Sequence, residues 1–383
     1  MKCKKLFEII ESLNDEYIQF LKEVCTIESP TDYKEGVDRV GKYFIEKARA
    51  KGWSFEVQEQ KTSGNAVCIT MNEDAKGEPI CFSGHMDTVH PVGSFGENPV
   101  RCDDEKIYGP GVLDCKGGLT AAFMAMDALD RVGFKNRPIK LILQSDEENG
   151  SRNSNKTTVD FMCEKAKDTL AFLNCEPGSR NGHVISRKGI CKFHFEIEGK
   201  AGHSAFCYNG ASAILEAAHK IIKLEQYKDK DSITCNCGII CGGSAENTVP
   251  EYCKFSADFR YHTDEERQHI MKIAEKIASE TVIAGTNCKV SFVSGRCLMP
   301  KTERNVKLFE KVRKIYLENN LCDVEMIASL GGADSADITQ RGITCLEGFG
   351  MIGDNTHNLN EFAYLDSLIL AAKRLAAVTY CIE

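Results

Sequence analysis

The chain has 383 residues, of which 42% are apolar and 27% charged, and at roughly 150 residues per domain it has room for about two to three domains. That balance describes a folded globular protein with a sizeable core and excludes a disordered, collagen-like or coiled-coil chain. Lys and Arg number 48 against 56 Asp and Glu, a net charge of −8, and no basic cluster could track a phosphate backbone, so nucleic acid is not expected as a partner.

The start of the chain is basic, but Glu8, Glu11, Asp15 and Glu16 interrupt it before an apolar signal region can form. The longest apolar stretch, Leu119 to Leu129, is broken by Asp127 and falls short of the ~20 residues a membrane span needs. A cytoplasmic protein without a membrane partner is expected. The 19 cysteines are odd in number, spread over the whole chain and never spaced Cys-x-x-Cys, so they read as reduced thiols used as small apolar residues. Cys235 and Cys237 share one face of an expected strand, which makes a metal pair geometrically possible, yet no His or further Cys completes it.

Residues from about 36 to 180 alternate helical stretches with short apolar runs bounded by Gly, Pro or Asn, the pattern of an α/β sheet covered by helices on both faces. The runs Ile80 to Ser83, Ile139 to Gln144 and Leu170 to Leu173 are nearly continuous, as in strands buried on both faces. Each is followed at once by residues able to bind metal: His85 and Asp87, then Asp146-Glu147-Glu148, then Glu176. In open parallel sheets, sites form beyond the carboxyl ends of the strands, so the three deliveries converge.

From Gly189 the pattern changes. Cys191, Phe193, Phe195 and Ile197 alternate with polar residues, predicting a half-exposed antiparallel strand. A helix over Ala211 to Leu224 follows, then strands at Ile233 to Cys241 and Tyr252 to Tyr261. A helix opened by the capping box Thr263-x-x-Glu266 and a strand near Lys289 to Val293 complete a βαββαβ α+β unit. After Pro300 a helix (Val306 to Asn319), the run Ile343 to Glu347 and a helix from Leu365 resume the first pattern. The expected domains are 1–187 with 300–383, catalytic, and 188–299, inserted.

Zinc and similar ions take His nitrogen and carboxylate oxygen, and hydrolytic sites leave a position open for water. The candidates are His85, Asp87, Asp114, Glu147, Glu148, Glu176 and His357. Singly, each carboxylate is best read as a solvated surface group; beside buried strand ends that reading weakens. In His85-x-Asp87 the carboxylate can accept the proton of the second ring nitrogen. Asp114 lies in the glycine-rich turn Gly109-Pro-Gly-Val-Leu-Asp-Cys-Lys-Gly-Gly118, which lets backbone approach an ion closely.

Ser83-Gly-His-Met-Asp-Thr-Val89, that glycine-rich turn, Asp146-Glu-Glu148, Glu176-Pro177, Gly199-Lys-Ala-Gly-His-Ser204 and Thr356-His357 occur in this order. Together they resemble the dinuclear zinc amidohydrolases that include glutamate carboxypeptidase, acetylornithine deacetylase, succinyl-diaminopimelate desuccinylase and aminoacylase. The resemblance runs from the Ile27-Glu-Ser-Pro-Thr31 segment to the final helix and is nearest to the glutamate carboxypeptidase branch. It implies a zinc-exopeptidase-like catalytic domain, with a mixed central sheet flanked by helices, interrupted by a lid or dimerisation domain. It also implies two divalent ions, zinc first with cobalt or manganese suited to the same ligands. His85 and Glu176 would complete one ion and Glu148 and His357 the other, with Asp114 bridging, Asp87 orienting His85 and Glu147 as general base. Family members often carry a second Asp, joined by a cis peptide, where this chain has Cys115.

In the inserted domain the resemblance implies that His203 stabilises the oxyanion in a partner subunit's site, which makes a homodimer the expected active form. Asn247, Arg260, Arg296, Gly331 and Gly332 match positions that bind substrate, and an Arg there could grip a carboxylate through two parallel hydrogen bonds. The remaining histidines, His90, His183, His194, His219, His262 and His269, are expected at the surface or behind the site. The expected reaction is hydrolysis of an amide next to a free carboxylate in a small peptide or N-acyl amino acid. A glutamate-carboxypeptidase-like exopeptidase is the first reading and a deacylase of N-acyl amino acids the second. A binding protein that has lost its metals is disfavoured because every ligand position holds a residue of the right type.

Overall fold

Short apolar runs punctuated by Gly, Pro and Asn become the strands of a mixed sheet in the first of two units. The computed structural model describes residues 2–229 and 232–383. The first unit takes in the chain up to Ile185, Lys301–Ala328 and Ala333–Glu383; the second takes in Ser186–Pro300 and Ser329–Gly332.

At the centre of the eight-stranded sheet, Ile139–Gln144, Ile80–His85, Ala171–Asn174 and Cys345–Glu347 are parallel neighbours. Ala66–Met71 and then Ser54–Gln58 extend it on one side, each antiparallel to its neighbour. Gly182–Arg187, antiparallel to Cys345–Glu347, and then Glu325–Ser329 extend it on the other. Every residue of Ile80–His85 and Ala171–Asn174 is buried, which is why these runs are mostly apolar rather than alternating. Because the three strands that lead to them are parallel, His85, the Asp146–Glu148 segment and Glu176 all emerge at one edge.

The helix Lys116–Arg131 is buried all round from Lys116 to Leu129, packed against the final helix Asp366–Cys381 and the first two helices. Its start needs Gly118, where a Cβ would run into the carbonyl oxygen of Cys175. A smaller sheet joins the strands Gly353–Asp354, Phe362–Tyr364, Lys106–Tyr108 and Arg101–Cys102 in that order. Among the described residues no helix is long and apolar enough to cross a membrane.

His183 departs from expectation. It is neither at the surface nor behind the site but fully buried in the first unit, hydrogen-bonded through Nε2 to the Tyr316 hydroxyl at 2.9 Å and stacked on Phe349 at 4.1 Å. It lies on the strand Gly182–Arg187 among core side chains, where burial disfavours the charged ring and holds its pKa well below the usual value.

In the second unit the strands Thr234–Gly242, Tyr252–Tyr261, Gly189–Glu198 and Asn287–Arg296 form an antiparallel sheet in that order. One face buries Cys191, Phe193, Phe195, Ile197, Phe255 and Phe259 with residues of the helices Ala213–Glu225 and Asp264–Ser279. Phe195 and Phe255 face each other in register and stack at 4.7 Å. The capping box forms as the sequence suggests: the Thr263 hydroxyl accepts from the Glu266 amide and the Glu266 carboxylate accepts from the Thr263 amide. Lys220 and Glu216 form a buried ion pair at 3.0 Å. The lysine also donates to the carbonyls of Ile277, Ala278 and Glu280, and Glu216 accepts from the amides of Val282 and Ile283.

Candidate metal centre

His85 is the last residue of its strand and 1% exposed. Its Nε2 lies 3.0 Å from Asp114 Oδ1 and 3.9 Å from Glu176 Oε1. The other oxygen of Asp114 lies 3.4 Å from Nε2 of His357, whose same nitrogen is 3.1 Å from Glu148 Oε2. One carboxylate therefore sits between two imidazoles, one per oxygen; Glu176 lies beside His85, and Glu148 lies beside His357 with an oxygen also within 4.8 Å of a His85 ring nitrogen. The donor groups that gather within 4.8 Å of one another are His85 with Asp114 and Glu148, and His85 with Cys115 and Glu176; His357 adjoins the first through Asp114 and Glu148. His357 is 56% exposed, so the cluster opens to solvent on that side.

Local structure delivers these groups. The turn that carries Asp114 follows the strand Lys106–Tyr108, which pairs with Phe362–Tyr364, and His357 lies in the hairpin loop between Gly353–Asp354 and Phe362–Tyr364. The small sheet thus ties the Asp114 turn to the His357 loop. His357 itself has a φ of 62°, a left-handed conformation sparsely populated by residues other than glycine. The peptide between Asp114 and Cys115 is cis.

Electrostatics favour cation binding. Although burial opposes it, Asp114 and Asp87 hold the His85 pKa well above its ordinary value, and Asp114 and Glu148 raise that of His357 to about 10. Burial pushes Asp114 up, but the two imidazoles outweigh it and hold the carboxyl below the usual range. Burial raises Glu148. A field that draws protons onto both imidazoles draws a divalent cation more strongly, and the mixed His and carboxylate donors suit zinc, cobalt or manganese. The Cys115 thiol is also near His85 and Glu176, but it donates to the Cys175 carbonyl at 3.0 Å and burial holds it protonated.

Asp87 does more than flank His85. The nearest acceptor to His85 Nδ1 is the backbone carbonyl of Asp87 at 2.9 Å, while the carboxylate is 3.4 Å away. That carboxylate accepts the amides of Glu147 and Glu148, both at 3.1 Å, and the Thr31 hydroxyl at 2.7 Å. It fixes the backbone of the paired glutamates as well as flanking the histidine. Glu147 is buried at the same strand edge, and a groove of about 430 Å³ lined by Pro30, Thr31, Tyr33, Val89, Pro91 and Glu148 opens beside it.

Two supporting residues escaped the sequence reading. Glu361, 2% exposed, accepts the amides of Leu113 and Asp114 at 2.9 and 3.0 Å. His90 is its buried neighbour, with Nε2 3.8 Å from Glu361 Oε2. Lys116 is fully buried and donates to the Ile27 carbonyl at 2.7 Å. Glu361 follows His357 by four residues at the start of a strand; that proximity was the one signal available.

The second unit groups its candidates differently. His203 and Asn247 meet on the two-stranded ladder Gly202–His203 with Thr248–Val249, where the Ser204 amide donates to the Asn247 carbonyl at 2.9 Å. His203 Nδ1 accepts the Ala205 amide at 3.1 Å, so a neutral ring carries its proton on Nε2, as a donor. Arg260 is not a free fork: it pairs with Asp258 on the same strand face at 2.7 Å. Arg296 packs on Gly332, where a Cβ would come within 2.5 Å of its Cδ, and the Gly331 carbonyl accepts from Arg187 at 3.0 Å.

The sequence profile described as Peptidase family M20/M25/M40 matches residues 81–380. Carboxypeptidase G2 from Pseudomonas sp. (strain RS-16) is 28% identical over 370 residues, covering 94% of this chain and 87% of that one. Succinyl-diaminopimelate desuccinylase from Rickettsia akari (strain Hartford) is 24% identical over 384 residues, covering 92% and 96%. Among solved structures, a tripeptidase from Staphylococcus aureus superposes with a TM-score of 0.76 at 24% identity, covering 96% of this chain and 98% of the other, a likeness of fold.

Proposed function

Because the chain belongs to peptidase family M20/M25/M40, we propose that its amide hydrolysis runs on two divalent cations held in the first unit, zinc in the first instance. The chain is a metal-dependent hydrolase of amide bonds. In our reading His85 and Glu176 serve one cation, Glu148 and His357 the other, and Asp114 both. The observation that carries this is the Asp114 carboxylate facing one imidazole with each oxygen.

Bound there, divalent cations polarise a carbonyl and make water more acidic. Glu147 would take the proton of the attacking water and pass it to the leaving nitrogen. Asp87 and Glu361 would hold the backbone of the two segments that present these groups. In the second unit, the Nε2 proton of His203 would stabilise the oxyanion in a second copy's site. Asn247, Arg260, Arg296 and the Gly331–Gly332 backbone would bind substrate, Arg260 by exchanging Asp258 for a substrate carboxylate. A homodimer through the second unit is supported by exposed Ile239 and Ile240 on the edge strand Thr234–Gly242 and by exposed Ile222 on the helix Ala213–Glu225.

The substrate we favour is a small peptide from which a C-terminal amino acid, in our reading an acidic one, is released; the long match to carboxypeptidase G2 supports release from the C-terminus. A deacylase of N-acyl amino acids is the second reading, supported by the match to the desuccinylase. Amino-acid release from dipeptides with varied C-terminal residues and from acetyl and succinyl amino acids, with and without a chelator, decides between them. Chelator-sensitive release of glutamate or aspartate from peptides is expected. Release from acyl derivatives with peptides untouched would replace the first reading with the second, and chelator-resistant turnover would overturn the metal assignment.

A further inference from the structure

We propose that the second unit carries a separate thiolate–carboxylate site for a soft divalent cation of the zinc class, formed by Glu225, Cys235 and Cys237. Strand alternation puts Cys235 and Cys237 on one face of Thr234–Gly242, Asn236 between them being exposed. Cys235 is buried and Cys237 half-buried, so one side of the pair reaches solvent. The third donor arrives from the last residue of the helix Ala213–Glu225. Glu225 Oε1 accepts the Cys237 amide at 2.7 Å, which anchors the carboxylate against the strand carrying both thiols.

The two sulfurs and a carboxylate oxygen all lie within 4.8 Å of one another. Around a tetrahedral zinc with sulfur at ~2.3 Å, neighbouring sulfurs are about 3.8 Å apart, so only a small contraction is required. Two sulfurs select a soft or borderline cation over calcium or magnesium. Without a cation the Cys235 thiol is held protonated, by its hydrogen bond with Cys237 first and by burial second. Binding forms two metal–sulfur bonds and releases both thiol protons to water. The Lys228 ammonium, 2.5 Å from Glu225 Oε2 and more than half exposed, turns out to solvent as the carboxylate changes partner. The cation would tie the end of the helix to the edge strand.

Cobalt separates this site from the hydrolytic centre, whose donors are nitrogen and oxygen. Titrating the full-length reduced protein with Co²⁺ should give a thiolate-to-cobalt charge-transfer band in the near ultraviolet and one more bound cation per chain than Cys237→Ser binds. Cys237→Ser should lose the band and keep amide hydrolysis, Glu225→Gln should keep the band with at least about tenfold weaker binding, and Cys115→Ser should leave the band unchanged. Because Cys237 is half-buried, its variant carries the test even where Cys235→Ser fails to fold. Absence of the band in the unaltered protein, its survival in Cys237→Ser, or its loss in Cys115→Ser would overturn the proposal; the first two leave the hydrolytic reading untouched, and the third would add a thiolate to the hydrolytic centre.

Discussion

In the first unit the donors arrive from strand ends and two turns, and most are held by a further buried contact: Asp87 on the Glu147 and Glu148 amides, Glu361 on the Asp114 amide, the small sheet behind His357. In the second unit His203 lies exposed on a two-residue ladder and Asn247 exposed beside it, both held by backbone contacts, and Arg260 is paired with its own neighbour. Buried polar groups must be paired or they cost stability, and in the first cluster the segments that bear the donors are already paired by the protein itself. The second is more exposed, in keeping with our proposal that substrate and another copy complete it.

Breaking each region should therefore have a different signature. The largest effect is expected for Glu147→Gln, a loss of ~10² to 10⁴ in kcat with cation content unchanged by elemental analysis; near-normal turnover would remove Glu147 as the base. His203→Ala should lower kcat by ~10² to 10³ while sedimentation shows an unaltered oligomer, and an unchanged rate would end its role. Glu361→Gln, which touches no substrate, should weaken cation affinity by ~10 to 100-fold, read by chelator competition; unchanged affinity would make it a purely structural contact.

The smallest effect concerns stability. His183 is buried and neutral when folded, its pKa well below the ordinary 6.5. Below about pH 6.5 the unfolded chain therefore binds a proton the folded chain does not, and stability falls as pH drops, by up to ~1.4 kcal/mol per pH unit. His183→Phe should flatten that slope in denaturant unfolding between pH 6.5 and 5. An identical slope in the variant would assign the acid sensitivity to other groups.

What the sequence determined by itself was whatever is encoded over a few residues. The nearly continuous runs Ile80 to Ser83 and Ile139 to Gln144 announced buried strands, the alternation from Cys191 to Ile197 announced a one-sided sheet, and Thr263 with Glu266 announced a helix start. These are legible because strand pleat, helix turn and capping geometry act between near neighbours. Tertiary structure decided which charges meet. Asp114 faces His357 across 243 positions of sequence, Asp87 takes amides 60 and 61 residues away, and Glu361 reaches the Asp114 turn from 247 residues on. His183 entered the core, Arg260 found Asp258, and Ser329–Gly332 joined the second unit. A carboxylate or imidazole looks the same in a sequence whether it ends in water or against an opposite charge. Burial and partner distance set its cost and its pKa, and both exist only once the chain has folded.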